Sequence, residues 1–165
     1  MNKFVILLVV AVFSGNIFAE NSSDLYKKGA ELASSGNFPE AKKIFERTIE
    51  LSPYFSLAHY GLGKIYLYDG NDIETAIKEL KTAVQLDNSF SKAHFYLGMA
   101  YMLDRKYVPA MKSFAAAYDR DSSYVEALYN IAVIYDLIGD SVKSAVYFDK
   151  YKRKLKEEQI NFTEF

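Results

Sequence analysis

The 165-residue sequence contains no cysteine and no tryptophan, only three prolines and two histidines, and almost no net charge, formally −1. Without cysteine there are no disulfides, no thiol nucleophile, no thiolate metal site and no lipid-modified cysteine after processing. An oxidising compartment would therefore leave the chain chemically unchanged. The balanced charge removes any global pull toward nucleic acid. No serine sits in a nucleophile motif and no glycine-rich phosphate loop is present, so no enzyme and no cofactor or small-molecule substrate is expected.

Long apolar runs are scarce as well. The one that exists, Phe4 to Phe13, follows Met1-Asn2-Lys3 and is broken by Ser14-Gly15-Asn16 before Ile17-Phe18-Ala19. Ten helical residues span about 15 Å, roughly half of a bilayer core. The order of charge, apolar run and small residue predicts a signal peptide over residues 1–19, cleaved after Ala19. The mature chain is then expected to be exported, periplasmic or secreted, without membrane attachment.

Hydrophobic residues make up 50% of the chain, which contains fourteen tyrosines and twelve phenylalanines, a composition that supports a packed core. These residues are arranged periodically. Ala93-His94-Phe95-Tyr96-Leu97-Gly98-Met99-Ala100-Tyr101 has an earlier copy at Ala58 to Tyr66 and a later one at Ala127 to Tyr135. A second signature follows each copy: Ala76 with Leu80, Ala110 with Phe114, Ser144 with Phe148. A weaker first copy runs through Leu25, Gly29 and Leu32, then Ala41 and Phe45. A period of about 34 residues marks an array of helix pairs that bury their faces by stacking. Turns are expected at Gly36-Asn37, Asp69 to Asp72, Asp104 to Lys106 and Gly139 to Ser141, and Pro53 closes the first copy. Asp24, Asp72, Asp104 and Asp121 read as helix-end residues. His59 and His94 share one slot of adjacent copies, too far apart for a shared metal, and read as packing residues.

The sequence resembles the tetratricopeptide repeat family through Leu62-Gly63 to Tyr66 with Ala76, Leu97-Gly98 to Tyr101 with Ala110 and Phe114, and Pro53. It departs from that pattern in carrying Leu25, His59, His94 and Leu128 where tryptophan is usual, an extra residue near Asn71–Ile73, and Ser122 where proline is usual. The resemblance implies an all-α, right-handed solenoid of about four helix-turn-helix repeats, approximately 22–55, 56–90, 91–124 and 125–158 within a domain over 20–158. A C-terminal extension would cap it, with a tail at 159–165. Lys150, Lys152, Arg153, Lys154 and Lys156 lie on the capping helix.

In this family the first helix of each pair lines a concave groove for extended peptides or partner helices. Helical phase then nominates Tyr26, Tyr60, Phe95 and Tyr129 as an aromatic row. Lys64, Met99 and Val133 lie one turn further on, and Tyr68, Met102 and Asp136 beyond them. An aromatic, methionine-bearing groove suits apolar anchoring of a protein or peptide partner better than a clamp of Lys and Asn around a terminal carboxylate. Two other readings remain open at this level. The aromatics could pack on neighbouring repeats, and the groove or last helix could mediate self-association into a homo-oligomeric envelope structure. A non-catalytic enzyme subunit ranks behind both.

Overall fold

The computed structural model describes residues 21–69 and 72–163, with side chains up to residue 157; the expected signal peptide falls outside this range, as does Asn71 of the stretch Asn71–Ile73 expected to hold the extra residue of the second repeat. The described residues form eight α helices: α1 Ser22–Ser34, α2 Phe38–Leu51, α3 Ser56–Asp69, α4 Ile73–Leu86, α5 Ser91–Leu103, α6 Tyr107–Arg120, α7 Glu126–Leu137 and α8 Ser141–Thr163. They pack as four successive pairs, each joined to the next through its second helix. The odd-numbered helices also touch one another, α1 with α3 and α3 with α5, so they form the inner layer of the array.

Each pair is held by a small residue facing a large one. A methyl group added at Gly98 would lie 2.7 Å from Cδ1 of Phe114, and one at Gly63 would lie 2.7 Å from Cγ of Leu80. Only glycine lets those backbones approach so closely. Phe45, Phe114 and Leu80 are accordingly almost fully buried, and each large side chain removed from water contributes about 1.5–3 kcal/mol. Tyr66 packs against a first hydrophobic cluster around Phe45, Leu62 and Ile65 and a second around Leu80, Ala83 and Leu97, and Tyr101 against that second cluster and a third around Phe114, Ile131 and Ile134, so these tyrosines bridge repeats.

The turns inside three pairs share one solution. The amide of Asn37 donates to Leu32 O, that of Lys106 to Tyr101 O and that of Asp140 to Tyr135 O. This capping geometry places the preceding residue in the left-handed region: Gly36 at φ 82°, Gly139 at φ 82° and Arg105 at φ 56°. Asp72 caps α4 by accepting from the amide of Thr75 at 2.9 Å, and Asp140 caps α8 by accepting from the amide of Lys143 at 3.0 Å. Asp121 instead braces the turn after α6, accepting from the amide of Ser123. Asp104 sits at the end of α5 and pairs with Lys106 at 2.7 Å.

The last helix closes the array. Its positions equivalent to Ala115 and Tyr118, which pack into the third cluster, are Asp149 and Lys152, so this face does not invite a further repeat. Phe148, in the slot of Phe114, is covered by no later helix among the described residues and is 36% exposed. Tyr151 covers part of it, with ring centroids 6.2 Å apart, and the Lys152 ammonium lies 5.0 Å from its ring. No glycine or proline interrupts α8, which runs to Thr163, past the point where the sequence periodicity fades.

Candidate functional site

The inner layer contains a cavity of about 260 Å³ between α1 and α3. Its α1 wall is Tyr26, Ala30, Ala33 and Ser34. Its α3 wall is Tyr60, Gly61, Lys64, Ile65 and Tyr68, and Phe38 and Phe45 close it from α2. Small residues create the space: Ala30, Ala33 and Gly61 leave the Phe45 ring bordering an open volume. A side chain at Gly61 would collide with that ring, its Cβ falling 2.6 Å from Cζ. The corresponding position in the next repeat is Tyr96, beside the smaller Leu80.

Of the residues nominated from sequence, Tyr26, Tyr60, Lys64 and Tyr68 meet at this cavity. Phe95, Met99, Met102, Tyr129, Val133 and Asp136 lie further along the inner layer and do not line it. Met99 and Met102 are half-buried against the hydrophobic clusters, Val133 is half-buried, and Asp136 is exposed.

The aromatic row is not a uniform solvent-facing stripe. Tyr26 stacks edge-on to Phe55 at 6.0 Å, Tyr60 leans on Phe90 at 4.9 Å, and Phe95 on Tyr124 at 5.6 Å. Phe55, Phe90 and Tyr124 form a second aromatic column just before α3, α5 and α7. The two columns interlock each repeat with the next. Tyr60 is consequently only 5% exposed, so at this position the packing of the row on neighbouring repeats, left open by the sequence, is what the structure shows. Tyr129 has no further repeat to lean on; it rests against Phe148 and Tyr151 at 5.6 and 5.5 Å and stays 41% exposed. The signal for this arrangement, aromatics at 55, 90 and 124, is present in the sequence but lies outside the repeat signature.

At the mouth of the cavity Lys64 stands among three tyrosines. Its ammonium is 5.1 Å from the Tyr96 ring, 5.7 Å from Tyr68 and 5.8 Å from Tyr60. The Tyr68 and Tyr96 hydroxyls lie 3.3 Å apart. Burial pushes the Tyr60 and Tyr96 phenols far above their ordinary value, so both are neutral donors at any physiological pH. The Tyr60 hydroxyl is buried and has no hydrogen-bond partner among the described residues. Tyr96 was not singled out by the sequence pattern. It sits one residue past the aromatic row, in a slot occupied by Lys27, Gly61, Tyr96 and Asn130 that shows no period.

The two histidines are held by hydrogen bonds. His59 Nδ1 lies 2.7 Å from a Glu79 carboxylate oxygen and Nε2 lies 2.9 Å from Pro53 O. The Glu79 hydrogen bond leads in raising the His59 pKa above its ordinary value, and the same bond holds the Glu79 carboxyl below its own. His94 meets only Asn88 O, at 3.1 Å, and burial lowers its pKa. No group of three potential ligands able to hold a metal occurs among the described residues, and no helix there is long and apolar enough to cross a membrane.

Four helix pairs with small-to-large packing form an α-solenoid similar in fold to tetratricopeptide-repeat domains. A family profile described as "TPR repeat" matches residues 67–104. Among solved structures, a crystal structure of MamA is similar over 86% of this chain and 82% of that one, with a TM-score of 0.80 at 20% identity. MamA 41-end from Desulfovibrio magneticus RS-1 matches over 83% and 77%, with a TM-score of 0.76 at 22% identity. The first TPR of Spaghetti (RPAP3), bound to the HSP90 peptide SRMEEVD, matches over 71% and 92%, with a TM-score of 0.67 at 20% identity. No curated protein sequence matches the chain.

Proposed function

We propose that this protein is an exported protein-interaction module that holds an extended peptide, or one face of a partner helix, along its inner layer. The cavity between α1 and α3 carries this reading: a preformed concave site, mostly apolar, with a few polar groups at its mouth. One structurally similar domain, the first TPR of Spaghetti, is described as bound to a peptide. Tyr68, 55% exposed beside the cavity, supplies rigid contact area at low entropic cost.

The test is selection from a random peptide display library on the folded protein. Selected peptides should bind wild type and lose affinity on Ala30→Trp, which fills the cavity, and on Tyr68→Ala, which removes its exposed rim. Both variants should melt close to wild type. Failure to enrich any peptide, or undiminished binding by both variants, would remove the groove as the working surface. Export has its own check: the intact mass of the secreted or periplasmic form should begin at Glu20, and a form retaining Met1 would contradict it.

A second reading, self-association, is favoured by one surface. Leu137, Ile138, Val142 and Val146 are 58%, 49%, 77% and 59% exposed around the α7–α8 turn. Mass measured by sedimentation across concentration decides it, since a dimer through this turn would dissociate on dilution and on Val142→Lys.

A further inference from the structure

We infer that the outer face of the array carries a second binding site, between α4 and α6, where the buried ring of His94 takes an Asp or Glu side chain from a helix of a partner protein. The inference goes beyond the inner-layer reading and does not depend on it.

The second and third repeats build the same frame around their histidines. His59 Nε2 lies 2.9 Å from Pro53 O, and His94 Nε2 lies 3.1 Å from Asn88 O, the equivalent carbonyl of the next repeat. In the second repeat the other ring nitrogen, Nδ1, meets Glu79 at 2.7 Å. The Glu79 slot of the third repeat holds Ser113, whose hydroxyl donates back to Pro109 O of its own helix at 3.0 Å. His94 Nδ1 therefore has no hydrogen-bond partner among the described residues, although the side chain is only 8% exposed. Buried polar atoms are normally paired, so this one marks a place where a partner is missing.

Where the Glu79 side chain would stand, the third repeat has a cavity of about 330 Å³. It lies between α4 and α6 over α5, and both His94 and Ser113 line it. Val84, Leu97, Pro109 and Ala116 give it apolar walls. Lys81 and Lys112 are its charged members, and no acidic side chain among the described residues lines it. Those two cations disfavour a metal ion or an ammonium group beside Nδ1.

The second repeat shows what completes such a frame. With Nε2–H donating to Asn88 O, a protonated His94 presents an Nδ1–H that a carboxylate accepts, as Glu79 does at His59. Burial leads in holding the free His94 ring below its ordinary pKa; the Asn88 carbonyl raises it, Arg120 lowers it and Asp87 raises it. A carboxylate on Nδ1 reverses that balance, as the Glu79 hydrogen bond does for His59. Binding then takes up a proton, so affinity rises as pH falls through the pKa of the bound ring and levels off below that of the free ring. A helix is the occupant that fits, because Glu79 itself reaches His59 from a helix packed alongside, and the apolar walls receive residues one turn from the acid.

Selection of a helical display library on the full chain at about pH 6, counter-selected against Ser113→Glu, tests this. That substitution puts a carboxylate in the Glu79 slot and should block the site from within while leaving the inner groove open, so groove peptides drop out. Enriched peptides should carry Asp or Glu one turn from Leu, Ile, Val or Phe, and bind about tenfold tighter at about pH 6 than at about pH 8. His94→Gln, which cannot take up a proton, should flatten that dependence, and imidazole NMR should show His94 titrating at higher pH with a peptide bound than without. If Ser113→Glu does not fold, His94→Gln serves for the counter-selection with the same readouts. Enriched peptides without an acid, affinity that does not change with pH, or a pH dependence that survives His94→Gln would overturn the inference. Absence of any enriched peptide would overturn it as well. Saturable binding of free glutarate with no peptide enriched would assign the site to a small acid and likewise overturn it. None of these results touches the inner-layer reading, which Ala30→Trp and Tyr68→Ala test separately.

Discussion

Tyr60 shows how one residue can belong to the core and to a site at once. Its ring joins two repeats and its flank lines the cavity, yet its hydroxyl is buried without a partner among the described residues. An unsatisfied buried hydroxyl costs about 1–3 kcal/mol, so Tyr60→Phe should be neutral or stabilising. Tyr60→Ser, which deletes the interlocking ring, should destabilise by about 3–5 kcal/mol, as loss of a buried aromatic does. A Tyr60→Phe protein melting well below wild type would show that the hydroxyl has a partner after all. His59 makes a different statement. Both of its ring nitrogens face acceptors, Glu79 and Pro53 O, an arrangement that the doubly protonated ring satisfies. Its raised pKa means that the pair's stabilisation is complete below the ordinary value of 6.5 and is lost as pH rises through the folded value. Glu79, lowered from 4.5, loses its share as pH falls through its own folded value. The pair is therefore strongest between those limits. Lys78, 3.6 Å from the other Glu79 oxygen, faces the same carboxylate. Glu79→Gln lets a neutral His59 donate to Pro53 O and accept from the amide, so its stability should change less than wild type's above about pH 6.5. His94, with its lowered pKa, acts in the opposite sense but equally in both proteins. Parallel pH-stability curves for the two proteins would contradict the ion-pair assignment.

At the scale of the element, the turns inside the pairs carry the clearest conflict between sequence and geometry. Arg105 occupies the left-handed slot that Gly36 and Gly139 fill elsewhere. An L side chain there is strained by about 1–2 kcal/mol. Arg105→Gly should raise the midpoint of chemical denaturation by roughly 1 kcal/mol of stability without altering the helices; an unchanged or lower midpoint would mean that the Arg105 side chain compensates the strain. The helices themselves were legible from the repeat. The slots of Gly63 and Gly98, the bridging roles of Tyr66 and Tyr101 and the turn at each Gly-Asn, Arg-Lys or Gly-Asp all follow from period and residue size. The groove was legible only in part. Tyr26, Lys64 and Tyr68 were placed by helical phase, but phase alone does not show that Tyr60 leans away onto Phe90. That depends on residues between the repeats, which no single helix pattern contains. Gly61 and Tyr96 escaped for the opposite reason: their slot varies from repeat to repeat, and a variable slot looks uninformative until its neighbours are in place.

At the scale of the whole molecule, the array is closed at one end and open along its inner layer. Asp149 and Lys152 replace the apolar residues that would receive a fifth repeat, and Tyr151 shields Phe148. Inside, Tyr26, Tyr60 and Phe95 each lean on an aromatic that leads into the next repeat, Tyr129 rests on α8, and Ala30, Ala33 and Gly61 hold a cavity open between α1 and α3. Along the inner layer the described residues thus shape a pocket at the first two repeats rather than an even stripe. Backbone amide chemical-shift mapping with a display-selected peptide tests this most directly. The account predicts that the largest shifts fall on α1 and α3 around Ala30, Gly61, Lys64 and Tyr68, with α6 and α8 nearly unmoved. Shifts centred on α7 and α8, around Leu137 and Val142, would contradict it and place the working surface at the other end of the array.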